Sequence, residues 1–248
     1  MEKIDVRGVV FDNVTMDEAV AWCVSAVDEY RGGGASARAV FTPNAEIVQS
    51  CVEESALYEL FASADLTIPD GAGVVLAAKI LGTPLKGKVA GVELVERLAA
   101  ELNRRGGTLY LLGGKPGVAK IAAERLNERY PSLKIYENDG FFEKQGEEND
   151  AVVASVNASG ADAVYVCFGA PKQERWIAEN RGRLNVPLLF GLGGTIDVFA
   201  GVKKRAPRIF IALRLEWLYY LIKEPKRIGR MMKLPRFILG TLFRGKGK

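Results

Sequence analysis

The stretch Asp65-Leu-Thr-Ile-Pro-Asp-Gly-Ala-Gly-Val74 holds the end of a strand, a carboxylate and the start of a helix. Leu66–Ile68 has the composition of a short buried strand, and Pro69 ends it because proline has no N–H to donate to a sheet. Two glycines then open an apolar run of helical length, Val74–Leu81. In open α/β sheets, ligands bind between strand ends and helix starts. Asp70 is therefore a candidate functional residue, and the alternative is that it only caps the helix.

Strand-like runs, polar or glycine-rich turns and helical runs follow one another along the chain. Further runs with strand character are Arg38–Phe41, Thr108–Leu112, Leu133–Tyr136, Ala163–Phe168 and Pro187–Phe190. The run Ala163–Phe168 is continuously apolar, as strands buried on both faces are. The alternation predicts an α/β fold with a doubly wound, mostly parallel, Rossmann-like sheet.

Local signals place several other elements. Ile4–Phe11 predicts a strand or a hairpin around Gly8. Thr15-Met-Asp-Glu18 fits a capping box, in which the threonine and glutamate side chains bind free backbone N–H groups, and Gly32-Gly-Gly34 ends the helix that follows. Ile47–Ala62 predicts two helical pieces.

Charge divides the chain into an acidic body and a basic tail. From Lys203 to Lys248 there are 14 Lys and Arg and two acidic residues, a net charge of +12, whereas residues 1–202 have a net charge of −8. We predict an α/β domain at 1–200, the candidate catalytic domain, and a basic amphipathic appendage at 201–248, with two or three helices broken at Pro207, Pro225 and Pro235. The asymmetry indicates an anionic partner, either nucleic acid or a membrane surface.

The tail also has an apolar pattern. Arg214–Arg230 combines basic residues with leucine and isoleucine at helical spacing and with interleaved aromatic residues. Basic amphipathic helices of this kind often lie in a membrane interface. The alternative is that these helices pack on the body or on a second copy of the chain in a homo-oligomer, with the Lys and Arg side chains in solvent.

Several residue types that carry chemistry are missing or scattered. The chain has no histidine, so a carboxylate such as Asp70 has to act if a general base is needed. Cys23, Cys51 and Cys167 have neither metal-ligand nor disulfide-framework spacing, which indicates a reducing compartment. The N-terminus lacks the apolar core of a signal peptide, and no apolar run reaches membrane-span length. We expect a cytoplasmic protein that uses no metal and no cofactor.

Polar residues follow the predicted strands where a shared ligand would bind. Besides Asp70, they are Thr42 with Asn44, Gly113 with Gly114, and Lys172 with Gln173. Each turn alone has a structural explanation, such as a helix cap or a proline in a first helical turn. Together they predict a crevice for a phosphorylated or sugar-bearing ligand. The dinucleotide fingerprint and the phosphate-binding loop motif are both absent.

Eight short stretches, taken together, resemble the WecG/TagA/CpsF glycosyltransferase family. They are Thr42-Pro-Asn-Ala-Glu46, Ile68-Pro-Asp-Gly71, Val89-Ala-Gly91, Tyr110-Leu-Leu-Gly113, Gly169-Ala-Pro-Lys-Gln-Glu174, Gly193-Gly-Thr-Ile-Asp197, Lys204-Arg-Ala-Pro207 and Glu216-Trp-Leu-Tyr219. They occur in the family's order and cover almost the whole chain.

The resemblance implies a metal-independent, inverting transfer from a UDP-sugar donor to a polyprenyl-diphosphate-linked sugar acceptor. In the TagA branch the donor is UDP-N-acetylmannosamine and the acceptor is undecaprenyl-diphosphate N-acetylglucosamine, in an early step of wall teichoic acid synthesis. It also implies a protein of the cytoplasm, peripherally associated with the anionic inner face of the cell membrane, with no nucleic-acid partner.

The resemblance further implies roles for individual residues. The implied general base is Asp70. The implied polar contacts to substrate are Thr42, Asn44 and Gln173, with Gly114 and Asp197 on the nucleotide side. The implied contacts to the membrane and lipid diphosphate are Arg214, Arg227 and Arg230. This chain has Tyr220 where relatives often have Arg.

Two other classes of protein remain as alternatives at this stage. One is a non-catalytic adaptor that binds a nucleotide and uses its basic tail to bind nucleic acid or an anionic membrane. The other is a nicotinamide oxidoreductase, which the missing dinucleotide fingerprint disfavours.

Overall fold

The computed structural model describes residues 1–34, 36–204, 206–207, 209–210, 216–223, 229 and 232–245. The strands are β1 (Lys3–Val6), β2 (Val9–Asp12), β3 (Arg38–Phe41), β4 (Leu66–Thr67), β5 (Thr108–Gly113), β6 (Lys134–Asn138), β7 (Ala163–Cys167) and β8 (Leu188–Gly191). The helices of the body are α1 (Met16–Arg31), α2 (Ala45–Glu53), α3 (Ala56–Ala62), α4 (Ala72–Ile80), α5 (Gly91–Arg104), α6 (Val118–Arg129), α7 (Gly146–Ser159), α8 (Lys172–Asn180) and α9 (Thr195–Phe199). Two described helices follow in the tail, α10 (Glu216–Lys223) and α11 (Lys233–Gly245).

Six parallel strands form the main sheet in the order β4-β3-β8-β7-β5-β6. The predicted α/β class and parallel sheet are therefore confirmed. The last described strand in the sequence, β8, lies between β3 and β7. The sheet thus joins strands from both halves of the sequence, and all its carboxyl ends lie at one edge.

Alternate residues of the strands supply two apolar layers, one on each face of the sheet. In β5, Leu109 and Leu111 pack with α1, α5, α6 and α9, whereas Tyr110 and Leu112 pack with α2, α3, α4, α7, α8 and α11. Because both faces are covered, the central strands are buried along their whole length; all five residues of β7 and all four of β8 are buried. The predicted buried strand at Ala163 is confirmed.

The expected hairpin is present and flanks β4 at the edge of the sheet. β1 and β2 pair antiparallel, and Arg7 (φ 57°) and Gly8 (φ 93°) form the turn between them. The buried carboxylate of Asp12 accepts a hydrogen bond of 2.8 Å from the N–H of Thr67 and forms an ion pair with Lys3. The capping box at Thr15 and the two-piece helix, now α2 and α3, are also confirmed.

The tail helix α11 packs on the body against α2 and α4. Phe237 is fully buried, and the guanidinium of Arg7 donates to its carbonyl oxygen (3.1 Å) and to Gln49 Oε1 (2.9 Å). Gly240 makes room for this contact, because a Cβ there would lie 2.7 Å from the Arg7 guanidinium nitrogens. The hairpin turn therefore holds a helix that lies 230 residues away in sequence.

The helix boundary predicted at Pro235 is displaced by two residues in the structure. Pro235 lies in the first turn of α11, which begins at Lys233. A proline is tolerated there because the N–H groups of a first turn have no partner within the helix. Within the described residues, no helix combines the length and the apolar character needed to cross a bilayer.

Two phenylalanines on α11 provide a test of its packing. Phe237 is 0% exposed and Phe243 is 76% exposed. We expect Phe237→Ala to lower the free energy of unfolding by about 3–5 kcal/mol, because it leaves a cavity between α11 and the body. Phe243→Ala, on the same helix, should change it by less than about 0.5 kcal/mol. Urea unfolding measures both, and equal losses would show that α11 does not dock as described.

Candidate active site

The candidate site lies at the carboxyl edge of the sheet, around the loop that follows β8. Helices leaving neighbouring strands go to opposite faces here: α9 after β8 lies on one face, and α2 after β3 and α8 after β7 lie on the other. Crevices open where adjacent strand-to-helix connections diverge in this way. The polar turns predicted from the sequence all reach this edge.

Thr42 joins the ends of β3 and β8. Its hydroxyl donates a hydrogen bond of 3.0 Å to the carbonyl oxygen of Gly191, the last residue of β8. The start of α5 reaches the same place, because a Cβ at Gly91 would lie 3.1 Å from the Thr42 side chain. With its proton directed to Gly191, the hydroxyl oxygen of Thr42 keeps an acceptor lone pair for a ligand.

The starts of α2 and α4 meet directly. A Cβ at Gly73 would lie 2.9 Å from the Cβ of Ala45, so only glycine allows this approach, and a Cβ at Gly71 would lie 3.8 Å from the Cβ of Asn44. The structure therefore brings the loops of Asn44 and Asp70 together, as predicted from the strand ends. With the start of α5, three helix N-termini surround this point, which favours negative charge there.

Asn44 and Asp70 differ in what they do locally. Asn44 is the N-cap of α2, and its Oδ1 accepts a hydrogen bond of 3.0 Å from the N–H of Ile47. The N-cap position of α4 is held by Gly71 (φ 101°), and Asp70 is the residue before it. Asp70 is half-buried.

The side chain of Gln173 forms hydrogen bonds within the protein. Its side chain is buried, and its Oε1 accepts hydrogen bonds from the N–H of Gly169 (3.0 Å) and the N–H of Gly193 (2.8 Å). Its Nε2 donates to Glu174 Oε1 at 2.8 Å. Gln173 thus ties the loop after β7 to the loop after β8, and one amide N–H remains for any further contact.

Sequence reasoning assigned no role to Glu174, although it quoted the residue within a motif. Its carboxyl group is buried at the end of β8, where burial raises its pKa from 4.5 to about 7. A signal was present in the sequence: Glu174 and Ile177 are three residues apart on α8 and share its buried side. An acidic residue on an apolar helix face indicates an unusual environment.

The predicted nucleotide-side residues lie beyond β8, toward β5. Gly114 (φ 79°) approaches α9, because a Cβ there would lie 3.4 Å from Ile196. The carboxylate of Asp197, on α9, forms an ion pair with the Lys203 ammonium. The backbone carbonyl of Asp197 accepts a hydrogen bond of 3.0 Å from the Lys203 N–H. The structure therefore places Gly114 and Asp197 near one another, with the Asp197 carboxylate already paired to a cation.

A lysine that sequence reasoning missed lies at the same edge, between β5 and β7. The ammonium of Lys144 is 3.4 Å from the ring centre of Phe142 and 4.5 Å from that of Phe168, and it donates to the carbonyl of Gly140 at 2.9 Å. Burial lowers its pKa. Gly140 in turn donates its N–H to the carbonyl of Gly114 at 3.0 Å. A cation is thereby held beside the glycine turn after β5.

The basic tail residues predicted to contact lipid diphosphate, Arg214, Arg227 and Arg230, lie outside the described residues. Among the tail cations that the structure does describe, Lys233 lies beside α2. It donates to Ser50 Oγ at 2.9 Å and forms an ion pair of 3.1 Å with Glu53.

Comparison with known proteins identifies the family of the chain. The profile of the "Glycosyl transferase WecG/TagA/CpsF family" matches residues 4–248. The chain belongs to this family, and it is a glycosyltransferase. The adaptor and oxidoreductase alternatives are therefore set aside.

Two relatives of the chain come from Staphylococcus aureus, strains MW2 and NCTC 8325 / PS 47. Each is named N-acetylglucosaminyldiphosphoundecaprenol N-acetyl-beta-D-mannosaminyltransferase. The chain is 33% identical to each over 236 residues, which cover 95% of this chain and 91% of the relative. The similarity thus extends over both the body and the tail.

The capping bond of Asn44 gives a testable expectation. We expect Asn44→Ala to lower the free energy of unfolding by about 1 kcal/mol, because it removes the acceptor for a backbone N–H, whereas Asn44→Asp keeps that acceptor and should stay within about 0.5 kcal/mol. Ser55, the N-cap of α3, makes no side-chain capping bond, so Ser55→Ala is a matched control with a change below about 0.5 kcal/mol. Urea unfolding would contradict the capping role if Asn44→Ala matched this control.

Proposed function

We propose that this glycosyltransferase moves a sugar, N-acetylmannosamine, from a UDP-sugar to undecaprenyl-diphosphate-linked N-acetylglucosamine, in synthesis of wall teichoic acid or a related surface polysaccharide. The observation that carries the proposal is the position of Asp70, in a crevice where the starts of α2, α4 and α5 meet. The names of the S. aureus relatives supply the acceptor and the sugar.

The proposed reaction inverts the anomeric carbon. Asp70 takes the proton of the acceptor hydroxyl as its oxygen attacks that carbon, the bond from the carbon to the β-phosphate oxygen breaks, and UDP leaves with the bonding electrons. The helix N-termini around Asp70 favour its ionised form, which a base requires. A positioned general base contributes about 10²–10⁴-fold to the rate.

Backbone groups and cations take the role of neutralising the leaving diphosphate. Glycine turns precede the starts of α6 and α9, where helix N-termini favour an anion, and Lys144 and Lys203 lie on the same side of the sheet edge. Within the described part of the chain, no three acidic or cysteine side chains come together as a metal site. The proposed transfer is metal-independent, with Thr42 and Asn44 contacting the sugars and Gly114 and Asp197 the nucleotide side.

The tail is the proposed contact with the lipid acceptor and with the anionic inner face of the membrane. We place the functional boundary near residue 200, with the catalytic part at 1–200 and the membrane-contacting part at 201–248. On α11, apolar side chains and a basic one remain exposed on the outer side: Leu239, Leu242, Phe243 and Arg236. Such a face can insert into the headgroup region while its basic residues contact anionic lipid.

A donor panel tests this function. The full-length protein is incubated with a short-chain polyprenyl-diphosphate N-acetylglucosamine and, in turn, with UDP-N-acetylmannosamine, UDP-N-acetylglucosamine, UDP-glucose and UDP-galactose, and released UDP is measured. We expect acceptor-dependent UDP release with UDP-N-acetylmannosamine. Release with a different donor only would reject the sugar, and no release with any donor would reject UDP-sugar transfer.

Asp70→Asn is the matched test of the base. We expect kcat to fall by about 10²–10⁴-fold, with the thermal unfolding midpoint close to that of the wild type, because the amide keeps the shape but cannot accept the proton. Asp150→Asn changes an exposed carboxylate on α7 and should leave kcat unaltered. A wild-type kcat in Asp70→Asn would refute the assignment.

The membrane contact is tested by co-sedimentation with vesicles of phosphatidylcholine and phosphatidylglycerol. We expect Phe243→Ser to weaken binding several-fold, because it removes a large exposed apolar side chain from the proposed contact face. Ile121→Ser changes an exposed apolar residue on α6 and is the control. Deleting the whole tail would be a poor test, since it would also uncover the body surface on which Phe237 packs. Equal binding by the two variants would exclude this face of α11.

A further inference from the structure

Glu174 is a buried carboxyl group that the proposed reaction does not use. Its residue is 1% exposed. Its Oε1 accepts the hydrogen bond from Gln173 Nε2 (2.8 Å), and its Oε2 is buried with no hydrogen-bond partner among the described residues. An ionised carboxylate has four acceptor sites to satisfy, and among the described side chains only Gln173 donates to it.

No cation of the described neighbouring elements pairs with Glu174. On α2, Cys51 faces it as a neutral thiol, because burial raises the pKa of that thiol to about 12. On α11, Lys233 is held by Ser50 and Glu53, and Glu54, after α2, pairs with Arg175 (3.1 Å). The charges around the site are thus already paired with one another.

The glycine at the end of β8 allows two side chains of α8 to pack against the strand. A Cβ at Gly191 would lie 3.0 Å from Glu174 Oε1 and 3.1 Å from Gln173 Nε2. Glycine at this position therefore allows the two side chains to lie against the backbone below Thr42, whose hydroxyl donates to the Gly191 carbonyl. Glu174, Gln173 and Thr42 form one connected group at the floor of the crevice.

We propose that Glu174 is a positioning residue, which acts through the Gln173 amide to hold the loops after β7 and β8 in the arrangement that the crevice needs. By accepting from Nε2, it orients the amide so that Oε1 faces the N–H groups of Gly169 and Gly193. If the amide turned over, those N–H groups would face an NH₂ group. The effect on ligand binding rests on the proposed function, whereas the effect on the loops does not.

Both forms of the Glu174 carboxyl group can accept from Gln173 Nε2, and burial favours the uncharged one. Burial raises the pKa of Glu174 from 4.5 to about 7, so the folded protein holds the proton that the unfolded chain has lost between these values. The stabilising contribution is therefore fully present below pH 4.5 and is lost as the pH rises through about 7. Above that, an unpaired charge is buried beside Gln173, and the loops lose their fixed arrangement.

Amide hydrogen exchange at Gly169 and Gly193, followed by NMR, tests the positioning role directly. In Glu174→Ala we expect the protection of both amides to fall about tenfold. Glu174→Gln keeps an acceptor for Gln173 Nε2 and cannot ionise, so it should restore that protection. In the wild type the protection factors should fall, relative to Glu174→Gln, between pH 6 and pH 8.5. The exposed Glu179 lies on the same helix, and Glu179→Gln should follow the wild type at every pH.

UDP binding, measured by calorimetry over the same pH range, tests the link to the site. The dissociation constant of the wild type should rise about tenfold relative to that of Glu174→Gln between pH 6 and pH 8.5. UDP itself titrates in this range, so the comparison is made between variants at each pH. A general structural role would shift both curves by the same factor at every pH.

The outcomes separate the two proposals. Unchanged protection of Gly169 and Gly193 in Glu174→Ala overturns the positioning role, whatever UDP does. If Glu174→Ala does not fold, identical pH dependence of these amides in the wild type and in Glu174→Gln overturns it instead. If protection is lost in Glu174→Ala and restored in Glu174→Gln, the positioning role is supported. If the wild type then binds no UDP, the UDP-sugar function is rejected while the positioning role stands. Parallel UDP curves for the wild type and Glu174→Gln reject the coupling to the ligand.

Discussion

The central strand β8 is the constraint on which the rest of the structure depends. It hydrogen-bonds to β3 on one side and to β7 on the other, so it joins two strands from the first part of the chain to three from the later part. Its four residues are all buried. Thr42, Asn44 and Asp70 come from one side of this junction and Gly114 and Gln173 from the other. Without β8 in place they would not share a crevice.

Two carboxyl groups at this edge of the sheet, those of Asp70 and Glu174, have different surroundings. On the side of β3 and β4, the starts of α2 and α4 meet beside the loop that holds Asp70. Below, at the end of β8, a carboxyl group of the same chemical type is buried against Gln173 without a cation, so burial favours its neutral form. The proposed base and the proposed positioning residue are thus two carboxyl groups that differ in their environment.

The tail is connected to the body through α11. The contacts of Arg7 with Gln49 and with the carbonyl of Phe237, and the pairing of Lys233 with Glu53, attach this helix to α2 beside the crevice. Leu234 lies against the start of α4, where a Cβ at Gly73 would be 3.2 Å from it. The basic tail that the sequence separates by composition is therefore, at α11, a packed part of the wall next to Asp70.

The sequence by itself determined the features that depend on neighbouring residues: the capping box at Thr15, the hairpin at Gly8, the strands, and hence the parallel sheet with its polar turns at one edge. It also carried the family's motifs, which led to the class of enzyme. Only the tertiary structure decided that Glu174 is buried, that Gln173 is used within the protein, and that α11 continues through Pro235 and docks on the body. These depend on contacts between residues far apart in the chain, such as Arg7 with Phe237. Pairing across such distances leaves no periodic pattern in the sequence, and the spacing on α8 indicates only that Glu174 shares a helix face with Ile177.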